Sequence, residues 1–330
     1  SNISMSGGKL DADNNLTLSG ALTQSGNITI DVAEDKTLSY SGAAVNLGAK
    51  TLTMSGKGTF NNTNALRLNN ASSKLLLSNT TTVGSVSTSA NISGLGIDVD
   101  ESSTITSLAV GHVTPVSIAD GKTLSGGVTV TGGSIKLGET GTLSSTVTMS
   151  GGTLDADDSL TLSGALSHSA NITLDVAENK ILTYSGTAIN VGANTITLSG
   201  GGSLVSGGIT LNDTQSKLLL NSITLDNAST SANISGLGID VNESSTITSL
   251  AVGHTTPVSI ASGKTLSGGI TLTGGSIKLG ETGTLASTVS MSGGTLDADA
   301  TLTLSGVLSH TADITIDVAI NKTLTYSGTA

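Results

Sequence analysis

Three pairs of carboxylates recur along this chain of 330 residues behind the same lead-in. Asp11 and Asp13, Asp155 and Asp157, and Asp297 and Asp299 each flank one alanine after Gly-Gly-x-Leu. A spacing of two on an extended strand puts both carboxylates of a pair on one side. Carboxylates supplemented by loop carbonyls are how Ca²⁺ collects its roughly six to eight oxygens. These six aspartates are therefore the candidate calcium ligands, and no other metal or cofactor is expected. The pattern departs from calcium-binding nonapeptide repeats, because Leu154 stands where the third glycine would be and the pair does not recur every few residues. The competing reading is a solvated turn acid that keeps neighbouring molecules apart.

Histidine offers less. His112 and His254 are 142 positions apart, as are His168 and His310, and Gln24 stands 144 positions before His168. A triad built on Ser167-His168-Ser169 would need nucleophile, base and orienting acid to converge. Recurrence at a fixed period points instead to an outward residue at a turn. Asp98-Val99-Asp100-Glu101 returns as Asp240-Val241-Asn242-Glu243, one charge short. Glycoside cleavage needs a carboxylate pair across a sugar-binding groove, yet the chain holds no Trp, one Phe, three Tyr and a single arginine, Arg67. No catalytic residue and no enzyme activity are expected.

These residues are carried by an array. Asn91 to Gly152 returns as Asn233 to Gly294 with seven substitutions; Met149 and Met291 lie 142 positions apart, and Met5 and Met149 lie 144 apart. The long repeats are residues 5–148, 149–290 and a partial 291–330. Turn-forming clusters divide one repeat into seven segments of 16 to 23 residues, starting at Val147, Ser167, Ile189, Ile209, Ser231, His254 and Ile270. Inside the segments apolar residues alternate with hydroxyls, as in Thr195-Ile196-Thr197-Leu198, the period of a half-buried strand. With 43 glycines long helices are disfavoured.

Tandem immunoglobulin-like sandwiches would also give strands and a long period, but their cores use aromatics that this chain lacks. The pattern predicts an all-β fold, a right-handed parallel β-helix (β-solenoid) of about 20 residues per coil and roughly sixteen coils. Uneven coils speak against the left-handed form with its regular six-residue sides. At a strand spacing of ~4.8 Å, residues 1–330 would form a single continuous solenoid about 77 Å long. Ser1 and Ala330 both fall in mid-repeat without an atypical coil. Bare solenoid ends are sticky edges, so continuation of the same chain, or end-to-end stacking of copies, is expected.

Tyr40, Tyr184 and Tyr326 each follow a lysine, Lys36, Lys180 and Lys322, and are expected at the surface or a corner as candidate self-association residues. Pro115 and Pro257 mark one corner in two repeats, where a missing N–H is harmless. Asn-x-Ser/Thr triplets such as Asn27-Ile28-Thr29 and Asn171-Ile172-Thr173 are strand patterns as well as glycosylation acceptors. Thr104-Ile105-Thr106, Thr246-Ile247-Thr248 and Thr301-Leu302-Thr303 have the local form of an ice-binding face. Such a face needs the motif at one place in nearly every coil with charge excluded, and lysines and aspartates scattered along the chain argue against it.

A net charge of −11 excludes the basic stripe that nucleic-acid binding requires, and no apolar run is long enough to span a bilayer. The repeats GGTLDADDSLTLSGAL, GKTLSGGITLTGG and GGSIKLGETGTL resemble the β-solenoid shafts of giant bacterial adhesins, filamentous-haemagglutinin-like proteins and autotransporter passenger domains. The resemblance implies a structural shaft of an extracellular fibre or adhesin, outside or on a bacterial cell. Its expected partners are copies of itself or the rest of a longer chain, with surface glycans or other cells beyond. Alternatives are a filament subunit stacked end to end and a carbohydrate-active or ice-binding solenoid. No family residue carries over to a position here.

Overall fold

A computed structural model describes residues 1–236 and 238–329. All described regular structure is β-strand. Contacts divide the chain into two compact units, Ser1–Ser169 and Ala170–Ala330, and each is a parallel β-solenoid. Every coil runs through one strand of a first sheet and then through one or two strands of a second. In the first unit, eight strands from Lys9–Ala12 to Thr153–Ala156 form the first sheet; in the second unit, eight strands run from Ile172–Val176 to Thr315–Val318. The second sheet is built from short pieces such as Leu160–Leu162. In the middle coils these merge into longer strands, Thr82–Thr88, Ser103–Val110 and Thr123–Val130, and likewise Thr224–Thr230, Ser245–Val252 and Thr265–Leu272.

Period-two alternation becomes inward ladders between the sheets. Leu52, Leu75, Ile97, Val116 and Leu137 stack coil on coil in the first unit. Ile196, Leu218, Ile239, Val258 and Leu279 do so in the second. All ten are buried. What one covering coil contributes can be read within the second unit. Leu174 and Tyr184 are 1% and 4% exposed, whereas Ile316 and Tyr326, at equivalent places on the last strands described, are 48% and 44% exposed. Full burial of one such side chain is worth roughly 1.5–3 kcal/mol, so each added coil stabilises the one beneath it.

Coil length, taken as the offset between paired residues, runs from 19 (Ile97 opposite Val116) to 24 (Ile30 opposite Met54) in the first unit. In the second it runs from 19 (Ile239 opposite Val258) to 24 (Ile172 opposite Ile196). The 16-residue segment expected from His254 to Ile270 does not exist. His254 lies in a turn, and the first-sheet strand starts at Thr256. Pro115 and Pro257 are corrected too: each is the second residue of a strand, Thr114–Ile118 or Thr256–Ile260, and not a corner.

At the corner leading out of the first sheet, several coils turn through a left-handed residue: Asp35, Glu139, Asn179, Ser222, Glu281 and Asn321 have φ between 59° and 67°. The lysines that follow three of them, Lys36, Lys180 and Lys322, donate their backbone N–H to Ala33, Ala177 and Ala319 and close the turn.

Candidate functional site

The aspartate pairs lie on the outward face of the first sheet, as their spacing requires: Ala12, Ala156 and Ala298 between them point inward and are buried. Lysines occupy the space beside them. Lys9 Nζ sits 2.9 Å from Asp11 and 2.8 Å from Asp31, Lys136 sits 2.9 Å from Asp155 and 3.8 Å from Asp157, and Lys278 sits 3.4 Å from Asp297. Asp13 and Asp299 lie at the turn after each strand. The same device recurs where no calcium motif was read, with Lys74 on Asp98 at 2.8 Å and Lys217 on Asp240 at 3.1 Å. Among the described residues no three His, Cys, Asp or Glu side chains are grouped to hold a metal ion. Apart from Lys9 with Asp11, which share a strand, these ion pairs run from coil to coil, and the exposed ones are each worth about 0–1 kcal/mol. Hydrogen bonding to Lys9 holds the Asp31 carboxyl below its usual range, and Asp31 and Asp11 in turn raise Lys9.

Asp100 is exposed in the turn after the strand Ile97–Val99. Partial desolvation pushes its carboxyl up, and the neighbouring Asp98 adds to the shift. Its counterpart in the second copy is Asn242. A carboxyl raised on folding contributes relative stability below its unfolded pKa of about 3.9 and loses it as pH rises through the folded value. Asp100→Asn is therefore expected to stabilise the first unit at neutral pH, and the gain should vanish in acid. Thermal melts of parent and variant across a pH series check both halves of that sign.

Of the two places expected for the tyrosines, Tyr40 takes the corner, its hydroxyl bonded to Ala43 in the turn after its strand. Tyr40 and Tyr184 are buried, which removes both side chains from any surface contact, and Tyr326 is partly exposed on the last described strand. The Tyr40 hydroxyl donates to Ala43 O at 2.6 Å and accepts from Leu22 N at 3.0 Å; Tyr326 repeats this with Thr329 O at 2.8 Å and Leu308 N at 3.4 Å. A signal for this was present in the invariable Tyr-Ser-Gly. A Cβ at Gly42 would fall 2.6 Å from the Tyr40 hydroxyl, and one at Gly186 2.2 Å from that of Tyr184.

Sequence reading missed the asparagines as structural staples. The side-chain carbonyl of Asn27 accepts from Thr51 N at 2.9 Å and that of Asn171 from Thr195 N at 2.8 Å, in both cases one coil further on. Asn91 and Asn233 do the same for Val113 and Thr255 at 3.0 and 2.9 Å. All four head an Asn-x-Ser/Thr triplet, so the recurrence of that pattern has a structural cause. Asn171→Ala should cost about 0.5–1.5 kcal/mol, while Asn171→Asp keeps the acceptor and should cost less. Hydrogen exchange at the Thr195 amide reads the difference directly.

His112 and His254 lie in turns as expected, whereas His168 and His310 are corrected from turns to the last residues of the strands Leu166–His168 and Leu308–His310. The carbonyls of His112 and His254 each accept from a threonine hydroxyl, Thr114 or Thr256, at 3.0 Å. Ser167 Oγ donates to Thr148 Oγ1 at 3.4 Å, and the two residues sit side by side in the ladder that pairs His168 with Met149. Two shallow hydroxyl-lined grooves recur at one corner of each unit. One of about 220 Å³ is bordered by Lys57, Thr81, Ser103 and Thr123, and one of about 190 Å³ by Gly201, Ile223, Ser245 and Thr265. Their buried hydroxyls are spent on the fold: Thr81 Oγ1 donates to Gly58 O and Ser245 Oγ to Glu243 O. Comparison with protein families, with curated proteins and with solved structures gives no match.

Proposed function

We propose that this chain is a structural shaft segment of an extracellular fibre or adhesin, stabilised by coil stacking and without catalysis of its own. One observation carries the reading: the near-identical copies take the same conformation, coil by coil. Ser103–Val110 and Ser245–Val252 share one burial pattern along eight residues, and Thr114–Ile118 and Thr256–Ile260 share another along five. Side chains able to do chemistry are engaged between coils, as in Lys122 on Glu101 at 2.7 Å and Lys264 on Glu243 at 2.6 Å. Repetition of one mechanical element, with bonds running from coil to coil, suits a load-bearing spacer.

Electron microscopy of native material, combined with the mass of one denatured chain and immunogold labelling of intact cells, tests this reading. Surface-labelled fibres of uniform width built from a long chain are the expected result. Subunits of about 32.3 kDa released from the same fibres would favour a stacked-subunit filament instead. Labelling confined to the cell interior, or turnover of a polysaccharide by the purified chain, would overturn the proposal.

A further inference from the structure

Charge on this chain is sorted by face. Among 13 Lys and Arg and 24 Asp and Glu, the described strands of the second sheet hold only Arg67 in the first unit and Asp226 in the second. Every other charge lies on first-sheet strands or in turns. Apart from Arg67, Asp226 and the exposed Ile181 and Val205, most outward positions of the second sheet are small and uncharged, and those of the later coils of each unit fall into register. In the first unit Ser87, Ala109, Thr129, Thr148 and Ser167 form one column, with the exposed Arg67 at its rim, paired with Ser87. Its counterpart in the second unit is Ser229, Ala251, Thr271, Ser290 and Ser309. Scattered in sequence, the lysines lie off the described strands of the second sheet, and so do the aspartates other than Asp226.

We propose that these small, uncharged columns of the second sheet are where two copies of the chain pack side by side. Three physical considerations select a second copy as the occupant. With a net charge of −11 gathered on the first sheet and the turns, this is the face along which two copies meet with least repulsion. Within the two columns no side chain is larger than threonine, which lets two sheets approach closely and interdigitate there, as stacked sheets of small residues do. Strands of up to eight residues over the five coils of each column span about 26 by 24 Å in each unit. That is on the order of 600 Å², the lower end of what one partner contributes to a specific stable interface, and fits a reversible contact. The contact is face to face and needs no free strand edge, so it is independent of the fibre reading and of end-to-end stacking.

Sedimentation velocity of the full chain across a concentration and salt series tests the proposal. Reversible self-association that strengthens as NaCl screens the residual acidic repulsion is expected; a contact through the lysine–aspartate face would weaken instead. Thr129→Lys with Thr271→Lys, both exposed on the second sheet, should abolish association. Thr53→Lys with Thr197→Lys, the same charge change on the first sheet, should leave it intact. Thr129→Ser with Thr271→Ser should also associate, and circular dichroism confirms that each variant is folded. A parent monomeric under all conditions, or equal loss from both lysine pairs, overturns the proposal. So does a monomer that adsorbs to ice or an insoluble polysaccharide through this face, since the face would then have another occupant.

Discussion

Replacing Phe60 with alanine is expected to destabilise the first unit by about 3–5 kcal/mol. Phe60 is fully buried, pairs in register with Leu38 and Val83 on the coils either side, and stacks on Tyr40 with ring centroids 6.0 Å apart and planes 21° apart. Backbone ladders above and below hold the coil spacing near ~4.8 Å, so the strands cannot close over the void. The second copy supplies the control. Leu204, 144 positions on, is buried in the matching strand Ser203–Val205, and Phe60→Leu should accordingly cost less than about 1.5 kcal/mol. Because solenoids unfold by neighbouring coils and not always in one step, hydrogen exchange at Leu38 and Val83 is the measurement of choice. A loss below about 1 kcal/mol for the alanine variant would show that this coil repacks.

Gly268→Ala is expected to cost about 3 kcal/mol or more through strain. Gly268 has φ of 112°, and a Cβ built there would lie 1.9 Å from the carbonyl oxygen of Ile247. That contact is with backbone, so no side-chain rotation relieves it. The site lies where the pairing of Ser245–Val252 with Thr265–Leu272 shifts register between Ile247 and Leu250. Gly126 repeats the arrangement against Ile105 with φ of 116°. Both glycines allow two short strands of a coil to merge across a bulge. Gly274→Ala, with nothing within 4 Å, should stay within about 0.5 kcal/mol of the parent. Differential melting of the two variants checks the contrast. Equal melting points would mean that the bulge opens at little cost and that the merged strands are not rigid.

Fold class was legible in the sequence because solenoid stacking is nearly one-dimensional. Each coil must offer its neighbours the same inward ladder, so Leu75, Ile97 and Val116 are found by alternation and repetition without knowing who pairs with whom. Coil boundaries were less legible, as His254 shows. Turn residues and strand-end residues share the Gly, Ser, Thr and Asn vocabulary, and only hydrogen-bond register separates them. The full burial of Tyr40 and Tyr184 was illegible for a different reason. A phenol in a polar, glycine-rich stretch reads as a surface group, and its burial depends on two backbone partners, Leu22 N and Ala43 O for Tyr40, of which one lies in the preceding coil.

The charged residues mark the division most clearly. Alternation alone establishes that Asp155 and Asp157 share a side of their strand and that Ala156 faces in. It is silent on Lys136, nineteen positions before Asp155 and beside it in space, because an ion pair between coils depends on coil length and register. The same holds for the threonines and for Asn171. A residue's inward or outward direction follows from parity along the strand and is present in the chain itself. Its neighbours in the next coil, and so whether a face is charged, stapled or bare, follow from offsets of 19 to 24 residues that vary from coil to coil and come into being only when the coils stack.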